Sequence, residues 1–176
     1  LYLKEGILVT GNNEIQAVAA RVGEKELVME RAFDAPRSLV FAAFTKPEHL
    51  ARWWAPGGYT IPVCNIDLRP GGVWHYCMRS AEGAEHWARS VYREISPPEK
   101  LVYTSTFADK DGNVTDDIPE QLVTVIFEEQ DGRTLLTTRY QFASEEALQE
   151  TLTMGLKQGY TETLNSLARL LDTISG

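Results

Sequence analysis

The chain has 176 residues, with 25 acidic residues against 17 Lys and Arg, a net charge of −8, 43% hydrophobic residues and two cysteines. That length suits one domain whose core needs neither disulfides nor a metal, and an acidic globular composition argues against partners such as nucleic acid or anionic membrane, which need clustered cations. The longest unbroken apolar run, Leu39–Phe44, falls far short of a membrane span, no secretory signal is readable at the start, and two cysteines make no disulfide framework, so a reduced, cytoplasmic protein is expected.

Residues 1–23 read as an N-terminal extension, in which Asn12 or Asn13 caps a short helix carrying Ile15, Val18, Ala19 and Val22 on one face. Residues 24–176 form the domain. Leu27, Met29, Arg31 and Phe33 alternate with Val28, Glu30 and Ala32, the period of a strand. Asp34 is then placed to cap a helix, with Pro36 near its first turn, and Leu39–Phe44 form its apolar face. A second short helix runs from Pro47 to Trp53 or Trp54 and is stopped by Pro56-Gly57-Gly58.

Six strand-like runs follow: Tyr59–Leu68, Val73–Arg79, His86–Ile95, Leu101–Phe107, Gln121–Glu129 and Thr134–Phe142. Their connections carry turn residues and are short, which implies an antiparallel meander. From Ser144 onward, Leu148, Leu152, Leu156, Tyr160, Leu164, Leu167, Leu171 and Ile174 recur at spacings of three and four, predicting one long helix of about 45 Å. The fold class is therefore α+β: a seven-stranded curved antiparallel sheet wrapped around a long C-terminal helix, with two short helices after strand 1. A straight helix cannot fill the hollow of a strongly curved sheet, so a cavity between the two is expected, a common place for small molecules.

The aromatic residues concentrate there. All four tryptophans lie between Trp53 and Trp87, and eleven of the seventeen aromatics lie between Phe41 and Phe107. Strand parity assigns Trp74, Tyr76 and Met78 to the inner face, as well as Tyr103, Ser105 and Phe107, then Val123, Val125 and Phe127, and Leu136, Thr138, Tyr140 and Phe142. On the His86–Ile95 run, Trp87, Arg89 and Val91 are assigned inward and Ala88, Ser90 and Tyr92 outward, with Arg89 as the polar group near the cavity. Trp53 and Trp54 close one end, and Met154, Leu156 and Tyr160 supply contacts from the helix. A three-residue loop at Arg69–Gly72 sets Ile66 beside Trp74 and puts Cys64 and Cys77 on opposite faces, so no disulfide is expected.

Other chemistry is weakly signalled. No nucleophile elbow, phosphate loop or dinucleotide fingerprint is present, and Gly57-Gly58 and Gly71-Gly72 precede strands rather than helices. His49, His75 and His86 have no zinc spacing, and His75 with Cys77 gives only two ligands on an outward face. Asp109–Glu120 has acids or Asn at several positions of a calcium loop but Val114 where such a loop needs glycine, so it reads as a solvated hairpin turn. No cofactor or metal is expected.

These blocks resemble a known family. Phe41–Pro56, Asp67–Gly72 with Trp74, Tyr76 and Met78, Tyr92–Tyr103, and Gly159-Tyr160 with Leu164 and Leu167 are similar to the successive signatures of the family named after the activator of the heat-shock-protein-90 ATPase, over roughly residues 26–174. The chain has Tyr160 where that family usually has Trp and Ser90 where Gly is frequent. The resemblance implies the START-like, Bet v 1-like helix-grip superfamily, whose members bind lipids, hormones or polyketides or act as cyclases and aromatases. It does not carry over the ATPase stimulation, which belongs to a separate domain of the name-giving co-chaperone. The expected function is binding of an apolar, lipid-like or aromatic small molecule between sheet and helix, with Trp53, Trp54, Trp74, Tyr76, Met78, Trp87, Arg89, Tyr103, Ser105, Phe107, Val125, Tyr140, Met154, Leu156 and Tyr160 around it. The alternatives are a cyclase- or aromatase-type enzyme, which needs an acid–base pair in the cavity, and a chaperone-linked interaction module, which needs an exposed apolar patch. A homodimer is compatible with the sequence.

Overall fold

The structure, a computed structural model, describes residues 3–7, 18–116 and 118–174. Its strands are β1 (Leu3–Ile7), β2 (Val18–Val22), β3 (Glu26–Phe33), β4 (Tyr59–Ile66), β5 (Val73–Ser80), β6 (Glu85–Ser96), β7 (Lys100–Ala108), β8 (Gln121–Gln130) and β9 (Arg133–Gln141). Its helices are α1 (Arg37–Thr45), α2 (Pro47–Trp53), α3 (Glu145–Thr153) and α4 (Leu156–Ile174). All strands join one curved antiparallel sheet in the order β1-β2-β3-β9-β8-β7-β6-β5-β4. The β4–β9 meander and the return of β9 to β3 match the alternation in the sequence. None of the described helices is long and apolar enough to cross a membrane.

Three expectations are corrected. The sheet has nine strands rather than seven, because the N-terminal segment extends it. Residues 18–22, expected on a helix, form β2 and pair with β3, Ala19 opposite Glu30 and Val22 opposite Leu27; the remainder of that expected helix lies outside the described residues. The open edge of β3 offers a row of backbone partners, whereas a helix of one or two turns is marginal on its own. The second correction concerns Asp34, which does not cap α1. Pro36 holds the N-cap position, and the Arg37 N–H donates instead to the Glu129 carboxylate at the end of β8, at 2.9 Å.

The third correction is that the C-terminal helix is two helices. Gly155 takes a φ of 96°, a left-handed conformation that glycine adopts without a Cβ clash, and this ends α3 before α4 begins. Ser144 does start α3, its hydroxyl accepting the Ala147 N–H at 3.1 Å. The 19-residue α4 spans about 28 Å.

The core lies between the inner face of the sheet and the helices. Leu164, Leu167 and Leu171 of α4 share one buried cluster with Leu27 and Met29 of β3, Val123 and Phe127 of β8, and Leu136 of β9. Phe44 of α1 stands edge-on to Phe127 at 5.2 Å and to Trp53 of α2 at 4.7 Å, which fixes the two short helices over one end of the sheet. One cation is enclosed: Arg31 is 2% exposed. Its Nη1 donates to the Asn165 Oδ1 at 2.6 Å and its guanidinium lies 5.0 Å from the Phe33 ring centre. Burial first, and Arg169 second, lower its pKa to about 10.

Candidate functional site

Small residues set between large ones open a space in the sheet's hollow. Ladder pairing lines up Trp74, Ser90, Ser105 and Gln121 across β5 to β8. The adjacent row runs Tyr92, Tyr103, Val123 and Tyr140 across β6 to β9. Between the large rings the sheet thus carries two serines, whose hydroxyl oxygens lie 3.3 Å apart, and Ser105 reaches the cavity. Across from them, Leu156, Gly159, Tyr160 and Thr163 project from one face of α4 at spacings of three and four. A Cβ built at Gly159 would meet nothing within 4 Å.

The result is a cavity of about 190 Å³ between α4 and the sheet, partly open to solvent. It is lined by Trp54, Tyr76, Met78, Tyr103, Ser105, Gln121, Val123, Tyr140, Leu156, Gly159, Tyr160 and Thr163. Trp54 is the hub of its aromatic end, with ring centres 4.7 Å from Trp74, 5.2 Å from Trp53 and 6.3 Å from Tyr160. Edge-to-face contacts of this kind fix ring orientation.

The electrostatics are those of a neutral site. Every lining side chain is uncharged. Burial holds the Tyr76 hydroxyl at a pKa of about 12 and raises those of Tyr103, Tyr140 and Tyr160 as well, with the neighbouring phenols adding to the rise for Tyr103 and Tyr140. The Tyr160 hydroxyl lies 2.8 Å from the Thr138 hydroxyl, and Thr163 Oγ1 donates to the Gly159 carbonyl oxygen at 2.9 Å.

Of the residues expected around the cavity, Trp54, Tyr76, Met78, Tyr103, Ser105, Tyr140, Leu156 and Tyr160 do line it. Trp74 lies behind Tyr76, stacked on it at 4.8 Å. Trp53 and Val125 are sealed in the core, the Trp53 indole N–H donating to the Ala43 carbonyl oxygen at 2.8 Å. Phe107 packs half-buried at the core's margin. Met154, at the break between α3 and α4, is 55% exposed.

Trp87 and Arg89 are a correction of parity. Trp87 pairs with Cys77 and Arg89 with His75, on the face opposite the cavity, and the Trp87 ring stacks on the His75 ring at 5.0 Å. Ala88, Ser90 and Tyr92 take the inner face instead. The hollow beside Trp74 and Tyr76 has room there for an alanine and a serine but not for another indole. On β4, Ile66 does sit opposite Trp74, and Cys64 pairs with Tyr76 while Cys77 faces the other side, both as free thiols. Burial raises both thiol pKa values.

Val123, assigned to the inner face by parity, also lines the cavity, whereas Gln121, Gly159 and Thr163 were not among the expected residues. Gln121 shares the parity of Val123 and Val125, and Gly159 and Thr163 lie three and seven residues beyond Leu156. Both signals are present in the sequence, but polar and small residues do not stand out in a search for apolar faces. Elsewhere, His75 is engaged with the Asp109 carbonyl oxygen at 2.9 Å. The Asp109 carboxylate accepts the Asn113 N–H at 2.9 Å, the Asn113 side-chain amide at 3.1 Å and the Asp111 N–H at 2.9 Å, and these bonds, those from Asn113 foremost, hold its pKa below the usual value. Among the described residues, no group of three His, Cys, Asp or Glu side chains is placed to hold a metal ion.

Comparison with known proteins places this geometry among relatives. A family model described as activator of Hsp90 ATPase homolog 1-like protein matches residues 34–172. The crystal structure of protein Ms6760 from Mycobacterium smegmatis is similar at 30% identity, covering 84% of this chain and 91% of that one, with a TM-score of 0.77. A solution structure from Arthrobacter aurescens is 27% identical over 85% of this chain and 87% of its own, with a TM-score of 0.79. One from Staphylococcus epidermidis is 28% identical over 86% and 92%, with a TM-score of 0.77. Curated protein sequences give no match.

Proposed function

Because the chain belongs to the family of activator of Hsp90 ATPase homolog 1-like proteins, we propose that it is a binding module of that family, holding an apolar small molecule between the sheet and α4. The observation that carries this reading is Gly159. A glycine inside a helix costs about 1 kcal/mol relative to alanine. Here neither a positive φ nor a close neighbour requires it, since a Cβ would meet only open space. That open space is the cavity. Protein interiors are otherwise close-packed, with few voids larger than a water molecule, so a helix that forgoes a side chain beside a void is better explained by an occupant than by packing.

An enzyme of cyclase type would need an acid–base pair beside the reacting group, and the uncharged lining supplies none of the usual carboxylates, lysines or imidazoles. An interaction module would present a contiguous apolar patch, whereas the cavity gathers apolar and aromatic side chains into a concave, mostly buried lining.

The test is a titration with naphthalene, a neutral probe small enough for the cavity, followed by backbone amide signals. Saturable shifts at Ser105, Gln121 and Gly159, lost in a folded Gly159→Leu variant, are expected. No saturable shift in the unsubstituted protein would overturn the reading.

A further inference from the structure

Three polar groups in the cavity wall lack a partner in the protein. Tyr103 and Tyr140 are 3% and 5% exposed and Gln121 is 7% exposed, so each is more than nine-tenths buried. Among the described residues, neither the two hydroxyls nor the Gln121 amide has a hydrogen bond, although the other polar groups of the wall do: Tyr160 with Thr138, Thr163 with Gly159, Ser105 with Ser90 and the Tyr76 hydroxyl with Trp54. The unpartnered groups are not sealed in packing as the Tyr92 hydroxyl and the Trp74 indole nitrogen are, and all three residues line the cavity. Buried polar groups are almost always satisfied, so groups that reach only the cavity are served by whatever fills it.

These groups are also arranged together. Tyr103 and Tyr140 flank Val123 on neighbouring strands, each about 4.8 Å away across the ladder. Gln121 stands two residues before Val123 on the same face, about 7 Å along β8. Two hydroxyls and an amide therefore present unpartnered donors and acceptors from one side of a cavity whose opposite side, on α4, offers Leu156, the room at Gly159, and the Tyr160 and Thr163 hydroxyls, which already have partners. Size limits the rest. A cavity of about 150 Å³ holds a benzene molecule, so the 190 Å³ found here encloses one ring or two fused rings, and any longer part of a ligand would lie outside it.

We propose that the site takes an uncharged one-ring or fused two-ring aromatic bearing a hydroxyl or carbonyl group, and that Gln121, Tyr103 and Tyr140 read that polar group. This deepens the binding function proposed above and rests on it. A carboxylate or ammonium ligand would be buried without a counter-charge, which is far costlier than an unmade neutral hydrogen bond.

The experiment compares the affinities of 1-naphthol, naphthalene and 1-naphthoate at neutral pH, for the unsubstituted protein and for Gln121→Leu and Tyr140→Phe. The expected order is 1-naphthol about tenfold tighter than naphthalene, the worth of one neutral hydrogen bond, and 1-naphthoate at least about a hundredfold weaker than 1-naphthol. Gln121→Leu narrows the naphthol preference and leaves naphthalene binding in place; should that variant misfold, Tyr140→Phe, which removes a single oxygen, narrows it in the same direction. Equal affinities for 1-naphthol and naphthalene, or naphthoate binding as tightly as naphthol, would overturn the assignment of ligand class while leaving a binding site. Failure of all three to bind would overturn the binding function itself.

Discussion

The hydroxyl of Tyr160 on α4 lies 2.8 Å from that of Thr138 on β9, a polar tie between two neutral groups across the interface of helix and sheet. Both residues are buried, so removing one partner leaves the other bare. Tyr160→Phe is expected to cost about 1–3 kcal/mol. Tyr160→Phe combined with Thr138→Val restores part of that loss, because no orphaned hydroxyl remains. Urea unfolding of the two single variants and the double variant measures the coupling. Losses that simply add would show that the two hydroxyls are independent.

Gly159→Ala should raise stability by about 0.5–1 kcal/mol, since the added methyl improves the helix and enters open space. The same substitution takes volume from the cavity, so small-ring binding weakens as stability rises. A loss of stability in this variant would mean that the space beside Gly159 is filled.

Alkaline pH should unfold the protein through its tyrosines. Tyr76, Tyr92, Tyr103, Tyr140 and Tyr160 all have folded-state pKa values raised by burial, Tyr76 to about 12. Unfolded tyrosine titrates near about 10. Below that pH both states are protonated and stability is complete. Above it the unfolded state loses protons first, so stability falls as pH rises from about 10 through 12. Arg31 acts in the opposite sense, its buried charge being shed from about pH 10 upward, but it is one group against five. Phenolate absorbance followed alongside circular dichroism checks this: the buried phenols should ionise only as native structure is lost. Ionisation of any of these five phenols in a still-native protein would contradict it.

Arg31→Met should leave stability unchanged or raise it by up to about 2 kcal/mol, because the enclosed guanidinium has one hydrogen-bonded side-chain partner, Asn165, and a bare Nε. Thermal unfolding at neutral pH measures the change. A fall of more than about 1 kcal/mol would show that the Asn165 and Phe33 contacts outweigh the cost of burying the charge.

Residue periodicity alone carried the meander from β4 to β9 and the α1–α2 pair, since each is a local pattern closed by turn residues. It failed where the outcome depends on a distant partner. Val18–Val22 becomes a strand because β3 presents an edge, and Trp87 turns outward because Trp74 and Tyr76 already occupy the hollow opposite. The break at Gly155 was hidden by leucines whose spacing runs through it. In the cavity wall, aromatic and apolar residues were legible by parity. Gln121 and Gly159 were not, because what matters at these two positions is an unmade hydrogen bond and an absent side chain, properties of the surrounding space rather than of the residue.

A small neutral ring is expected to occupy the space between α4 and the sheet. Isotope-filtered NMR of the protein with bound 1-naphthol tests this most directly. Intermolecular contacts from the naphthol ring to the Gly159 α protons and to the Tyr103 and Tyr140 rings are expected. Contacts confined to exposed side chains such as Tyr59, Leu68 and Leu135 would contradict it.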